Sequence, residues 1–242
     1  MNIPNIVKES LRDGKVVVLT GAGVSAESGI PTFRDAQTGM WEHYDPQELA
    51  TPNAFKANPK LVWDWYAWRR QLVNEKRPNA GHHALVAIEQ QATDFLLATQ
   101  NVDGFHRMAG SQNVVELHGN IQRVKCFDRH HIVESWAEQD ATPPRCPQCD
   151  SFLRPDVVWF GEGLSEDGLG LAMKSAENCD ILLSIGTSSM VYPAAYLPEL
   201  ALRGGALFVE INPNNTPLTP YADFVLKGAS GTVLPALVEA TW

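Results

Sequence analysis

The β-branched run Val16 to Thr20 leads directly into Gly21-Ala22-Gly23-Val24-Ser25-Ala26. A strand that passes into a glycine turn and then small residues is the pattern by which backbone N–H groups and a helix N-terminus cradle a pyrophosphate, and the spacing satisfies G-x-G-x-x-G/A. The chemistry it points to is dinucleotide binding, with a purely structural turn as the competing reading of the glycines alone. A routine hydride-transfer enzyme also needs an acidic residue roughly 20 positions on, at the end of the next strand, to hold the ribose. Here Glu42 and Asp45 fall in loop-like sequence, which disfavours that reaction.

Other polar groups cluster just after strand-like runs. Gln100, Asn101 and Asp103 follow Phe95 to Thr99, and His118 follows Val114 to Leu117. Such positions lie at the sheet edge where doubly wound folds bind ligands. Amides and a carboxylate there can fix a ribose or a carboxamide, and an imidazole titrating near neutrality can take a proton from a hydroxyl. Gly186-Thr187-Ser188 and Asn212 end two further strands. Elsewhere, Trp63-Asp64-Trp65-Tyr66-Ala67-Trp68-Arg69-Arg70 places Tyr66 and Arg69 three apart, on one helical face. A phenol O–H and a forked guanidinium aimed at one point suit a carboxylate. The plainer reading is an amphipathic helix whose Arg69 reaches water.

Of four cysteines, Cys126, Cys146 and Cys149 fall within one short stretch, which suggests a metal site rather than a disulfide scaffold. Four soft ligands in two C-x-x-C pairs close a tetrahedron around zinc. Cys146-Pro147-Gln148-Cys149 is intact, but Arg129 stands three residues after Cys126. Three outcomes stay open: His130 or His131 supplies a fourth ligand, zinc binds poorly, or the site is an apolar pair with a free thiol. Cys179, before a core strand, reads as simply buried.

The elements that must position these groups follow from periodicity. Val16 to Thr20, Phe95 to Thr99, Val114 to Leu117, Ile181 to Ile185 and Leu207 to Ile211 read as buried parallel strands, with Val157 to Phe160 and Phe224 to Leu226 as further ones. Helical patterns such as Gly81 to Gln91 and Glu166 to Ala176 lie between them, so the fold class is α/β, a Rossmann-like doubly wound parallel sheet. Two stretches interrupt the alternation: residues 31–75, which end in an aromatic helix from about Pro59 to Glu75, and residues 120–155, which hold the cysteines. Together they read as a small inserted lobe containing a candidate zinc module, against a dinucleotide lobe of approximately 1–30, 76–119 and 156–242 within a single domain.

The 242 residues, 44% hydrophobic and 19% charged, can bury one large core. A net charge of −9 argues against gripping nucleic acid or an anionic membrane by bulk electrostatics, so an anionic ligand is held locally. No apolar run reaches the roughly 18 to 20 residues of a membrane span, and the first 13 residues lack a signal-peptide core, so a cytoplasmic protein is expected.

Five blocks in order, GAGVSAESGIPTFRD from Gly21, TQNVDGFH from Thr99, ELHG from Glu116, VWFGE from Val158 and GTS from Gly186, resemble the sirtuins, the NAD-consuming protein-lysine deacylases. The resemblance runs from about Gly14 to Leu237. It implies that NAD is a cosubstrate, that the acyl oxygen of a modified lysine attacks the nicotinamide ribose, and that the acyl group ends on ADP-ribose. By the same resemblance His118 is the general base and Asn101 a second catalytic residue, and Asp103 holds the nicotinamide carboxamide. Gly21, Ala22, Gly23, Ser25, Ala26, Glu27, Thr32, Phe33, Arg34, Gln100, Val102, Gly186, Thr187, Ser188, Asn212, Asn214 and Ala229 complete the cofactor set.

Val158, Trp159, Phe160, Gly161 and Val191 would line two edges between which a substrate peptide inserts as a strand. The Tyr66/Arg69 pair resembles the mark of the subgroup that removes succinyl and malonyl groups, with acetyl also accepted. The partners implied are acylated lysine-containing proteins or peptides. A plain deacetylase, or a binding module for NAD or ADP-ribose without turnover, are the alternatives.

Overall fold

A computed structural model describes residues 3–31, 44–136 and 143–242. Among these residues the strands are β1 (Lys15–Thr20), β2 (Asp94–Thr99), β3 (Val114–Glu116), β4 (Gly119–Cys126), β5 (Ile132–Val133), β6 (Leu153–Val157), β7 (Ile181–Ile185), β8 (Leu207–Asn212) and β9 (Phe224–Lys227). The helices are α1 (Asn5–Asp13), α2 (Gly23–Ala26), α3 (Pro46–Leu49), α4 (Pro52–Ala57), α5 (Pro59–Asn74), α6 (Ala80–Gln91), α7 (Phe105–Ala109), α8 (Glu166–Glu177), α9 (Leu197–Arg203) and α10 (Ser230–Thr241).

Six strands form one parallel sheet in the order β3-β2-β1-β7-β8-β9. Alternate side chains leave opposite faces of a strand, and β1 shows the consequence. Val16 and Val18 join Leu11, Leu85, Ile88, Leu234 and Leu237 on the face covered by α1, α6 and α10. Val17 and Leu19 join Ala172, Ala176, Leu197 and Leu200 on the face covered by α8 and α9. Both faces are thus buried, each aliphatic chain contributing about 1.5–3 kcal/mol. The doubly wound architecture expected from the alternating runs is the one observed.

A second sheet of three antiparallel strands, β5-β4-β6, was not expected as such. Its segment β6 ends at Val157, so Val158 to Phe160, expected to continue as strand, leave the sheet instead. The reason is local: the Trp159 N–H donates to the Glu162 carboxylate and the Glu162 N–H returns to the Trp159 carbonyl, closing a turn. Against this sheet packs α5. Its start is set by Asn58, whose side chain accepts the Leu61 N–H at 3.1 Å, and by Pro59 in the first turn. Trp65 and Tyr66 enter a core with Phe55, Phe105, Ile121 and Trp159. Trp63 enters another with Val124, Cys126, Cys146 and Leu153.

Candidate active site

The turn after β1 and the turn after β7 touch backbone to backbone. A Cβ on Gly23 would lie 2.7 Å from the Gly186 Cα, and one on Gly186, whose φ is +59°, would lie 2.6 Å from the Val24 nitrogen. The glycines are required for that approach. Four of the turn's donors are already engaged: Gly21 N–H bonds the Ile185 carbonyl, Gly23 N–H the Gly186 carbonyl, and Val24 and Ser25 bond back to Gly21 and Ala22. The helix expected to aim its N-terminus at a phosphate is the single turn α2, Gly23–Ala26.

Ser25 is the hub below this turn. Its hydroxyl donates to Asp103 Oδ2 at 2.7 Å and accepts from Asn101 Nδ2 at 3.2 Å. The amide of Asn101 also reaches the Gly21 carbonyl at 3.1 Å, which ties the end of β2 to the end of β1. Asp103 Oδ1 accepts the Phe105 N–H at 2.8 Å. Burial raises the pKa of the Asp103 carboxyl, and the Phe105 N–H and Ser25 hydroxyl oppose that rise. The Val102 carbonyl, beside them, accepts from Ile121 N–H at the start of the small sheet.

Two histidines support the hub that residue patterns alone did not single out. His82 is buried at the start of α6, where its Nδ1 accepts the Asn79 N–H at 3.2 Å in a capping box. That acceptance places the proton on Nε2, 3.4 Å from Ser25 Oγ. His106 Nε2 lies 2.9 Å from Thr20 Oγ1, which bonds Thr99 Oγ1 at 2.8 Å. Burial pushes the two imidazoles down to about 4 and about 3 respectively. The asparagine three residues before His82 was the available signal, because it predicts a cap whose third residue turns inward.

His118 stands at the same strand-end edge. Its Nδ1 lies 2.9 Å from the Gln100 carbonyl oxygen, which can only accept, so the proton sits on Nδ1 and Nε2 carries the lone pair. Burial lowers its pKa below the usual imidazole value, opposed in part by that carbonyl. The Gln100 side chain donates to Thr187 Oγ1 at 2.9 Å. Asn212 Nδ2 donates to the Thr187 carbonyl at 2.9 Å, and the Asn214 N–H returns to Asn212 Oδ1 at 3.2 Å. Ser188 follows in the same turn, so Gly186, Thr187, Ser188 and Asn212 converge beside Gly21 and Ala22.

Three further residues of the expected cofactor set, Ala26, Glu27 and Ala229, lie around the end of α2 and the start of α10. Ala26 ends α2 facing solvent. Glu27 directs its carboxylate to the first turn of α10, accepting the Gly231 N–H at 2.6 Å and the Ser230 hydroxyl at 3.4 Å, with Ala229 as that helix's flanking residue. This carboxylate at a helix start is a structural tie between the ends of the chain. Thr32, Phe33 and Arg34 lie outside the described residues.

On the small-lobe side the Trp159 indole N–H donates to the Tyr66 hydroxyl at 3.0 Å, joining α5 to the segment after β6. Burial raises the Tyr66 phenol to about 12, so it stays protonated and retains its own O–H to donate. Arg69, one turn on and half-buried, stacks 5.1 Å from the Trp65 ring, and burial lowers its pKa. Trp159 is backed by Arg154, whose guanidinium lies 3.2 Å from the indole centroid. Arg154 is fully buried and grips Glu162 through two bonds of 2.5 and 2.9 Å. Arg154 had no sequence signal, since one arginine in a strand is ordinarily a surface residue.

Val158 donates its N–H to the His118 carbonyl at 2.9 Å, which brings the expected peptide edge next to the imidazole's own backbone. Phe160, Gly161 and Val191 are exposed, and none of them lies in a strand. The sulfurs of Cys126, Cys146 and Cys149 all lie within 4.8 Å of one another. Three thiolate donors so placed fit a zinc ion, which would cross-link the lobe and supply no chemistry to the reaction. Cys179 is buried, its thiol pushed up to about 12 by desolvation. Among the described residues no helix is long and apolar enough to cross a membrane.

The Sir2 family model matches residues 21–193. An NAD-dependent protein deacylase of Pyrococcus furiosus is 50% identical over 235 residues, covering 94% of this chain and 93% of its own. A Sir2 homologue solved in complex with NAD superposes with a TM-score of 0.91 at 44% identity, over 99% of this chain and 94% of that one. A Sir2 protein bound to acetylated peptide gives 0.87 at 28% identity, over 99% and 98%. With that extent of agreement in sequence and in fold, the chain belongs to the Sir2 family.

Proposed function

We propose that this protein is an NAD-dependent protein-lysine deacylase that favours acyl chains ending in a carboxylate, succinyl and malonyl, and also removes acetyl. The class rests on the family and on relatives such as the Pyrococcus furiosus deacylase. One observation carries the preference: Tyr66 and Arg69 share a face of α5, and the Trp159 indole ties the Tyr66 hydroxyl to the segment where substrate would lie. A phenol that accepts the indole N–H keeps one donor free in role, and a guanidinium adds charge and a fork, the pairing that recognises a carboxylate.

NAD supplies the electrophilic ribose and the leaving nicotinamide. The protein's part is positioning, dehydration and one proton transfer. Asn101 and Asp103, held by Ser25 through bonds of 3.2 and 2.7 Å, present an amide and a carboxylate at the end of β2 for the ribose and carboxamide. Gly21, Ala22, Thr187, Ser188, Asn212 and Asn214 serve the phosphates and the adenosine side. His118, fixed through Nδ1, takes the ribose hydroxyl proton at Nε2. The acyl-lysine peptide lies along Val158 to Gly161 and Val191.

The test is one lysine peptide carrying succinyl, malonyl or acetyl, incubated with and without NAD and read by mass spectrometry. NAD-dependent loss of succinyl and malonyl in excess of acetyl is expected. Acetyl removed fastest would leave a plain deacetylase, and bound NAD without nicotinamide release would leave a binding module.

A further inference from the structure

The two turns that carry the clustered cysteines are built alike. In the first, the Cys126 N–H donates to the His131 carbonyl at 2.9 Å, the His130 N–H donates to the Cys126 carbonyl at 3.0 Å, and His130 has φ +57°. In the second, the Cys146 N–H donates to the Ser151 carbonyl at 2.7 Å, the Asp150 N–H donates to the Cys146 carbonyl at 2.9 Å, and Asp150 has φ +61°. The second turn presents two sulfurs, because Cys149 stands three residues after Cys146. The first presents one, because Arg129 holds the matching place. Arg129 still donates its N–H to Cys126 Sγ at 3.4 Å, so the backbone of a ligand-bearing turn is kept without its second thiolate. Three sulfurs leave a tetrahedral ion one donor short.

The left-handed residue of the first turn decides which neighbour can supply that donor. His130 occupies it and is exposed. His131, the next residue, is half-buried, and its Nε2 lies 3.6 Å from Cys146 Sγ on the opposite turn. With bonds of about 2.3 Å to sulfur and about 2.0 Å to nitrogen, tetrahedral zinc separates its N and S ligands by roughly 3.5 Å and two sulfurs by roughly 3.8 Å. Cys126 and Cys149 are 3.5 Å apart.

We infer that His131 Nε2 is the fourth ligand of a Cys3His zinc site, replacing the donor missing at Arg129. The three sulfurs are already mutually within 4.8 Å, and the imidazole completes the set by drawing from Cys146 toward the other two as the ion binds. With four protein donors and no open position the ion is structural. It clamps the turn between β4 and β5 to the Cys146–Cys149 turn, beside the core of Trp63, Val124, Val133 and Leu153.

The experiment is zinc and cobalt titration of the metal-free, reduced protein against a colorimetric chelator. The wild-type chain is expected to take one ion. His131→Ala should weaken zinc binding by about 10- to 100-fold or more, by comparison with losses seen even for outer-shell partners, and His130→Ala should leave it unchanged. In Arg129→Cys/His131→Ala, affinity should return with four thiolates, and its cobalt bands should move to lower energy, because sulfur is the weaker-field donor. Should the alanine variant fail to fold, zinc-edge X-ray absorption of the wild-type protein decides, since an imidazole ring scatters beyond the first shell. The inference is overturned by wild-type affinity in His131→Ala, by metal loss in His130→Ala instead, by an absorption spectrum without imidazole, or by a folded wild-type chain that takes up neither metal.

Discussion

His118 Nδ1 lies 2.9 Å from the carbonyl oxygen of Gln100, a main-chain group that follows β2 directly. One hydrogen bond therefore sets both the ring orientation and the tautomer of the residue proposed as base. His118→Ala should abolish deacylation while NAD binding, followed calorimetrically, stays measurable. Turnover within tenfold of wild type would remove His118 from the role.

The same geometry sets a pH dependence. Burial lowers the His118 pKa, so the neutral, proton-accepting ring persists below the usual value of about 6.5 and is lost only as pH falls through the lowered one. The acid limb of kcat/KM should therefore lie below pH 6.5. A limb above that value would contradict a buried base.

His82 and His106, depressed to about 4 and about 3, act on stability. The unfolded chain takes up protons near pH 6.5 while the folded chain does not, so the stabilisation is complete above 6.5 and is lost progressively as pH falls toward 4 and 3. The loss should reach the order of a few kcal/mol. Thermal melting from pH 7 to pH 4 should fall steeply, and His106→Gln, which keeps a donor for Thr20, should flatten the slope. A parallel slope in the variant would place the acid sensitivity elsewhere.

Arg69→Met should cost succinyl turnover far more than acetyl turnover, by roughly 10- to 100-fold in the ratio of kcat/KM, since a charge-assisted hydrogen bond is worth about 1.5–3 kcal/mol. Tyr66→Phe removes a smaller donor and also leaves the Trp159 N–H unpaired, so part of its loss should appear for every acyl group. Equal losses for succinyl and acetyl in Arg69→Met would mean that the arginine supports the fold alone.

Glu162→Gln tests the ion pair behind Trp159. Removing one partner leaves the fully buried Arg154 guanidinium without its counter-charge, a loss of about 3–5 kcal/mol. The melting temperature should fall sharply, and Arg154→Met/Glu162→Gln should recover part of it. If the single change is silent in thermal denaturation, water or another group compensates the arginine.

What was legible in the sequence was what short-range pattern controls. Runs such as Val16 to Thr20 and Ile181 to Ile185 must be buried on both faces, so their apolar continuity announced parallel strands and the α/β class. Residues directly after those runs, Asn101, Asp103 and His118, came together because strand ends in a parallel sheet share one edge. Other outcomes depended on partners far along the chain. Val158 to Phe160 left the sheet for a turn held by Glu162, Glu27 was drawn to α10, and Arg154 was buried only because Trp159 and Glu162 surround it. The sequence by itself thus determined the sheet, the polar edge at its strand ends and the spacing that sets Tyr66 and Arg69 on one face of α5. Only the tertiary structure decided that Tyr66 bonds Trp159 and that His131 rather than His130 faces Cys146, because such contacts join residues whose separation in sequence no local periodicity encodes.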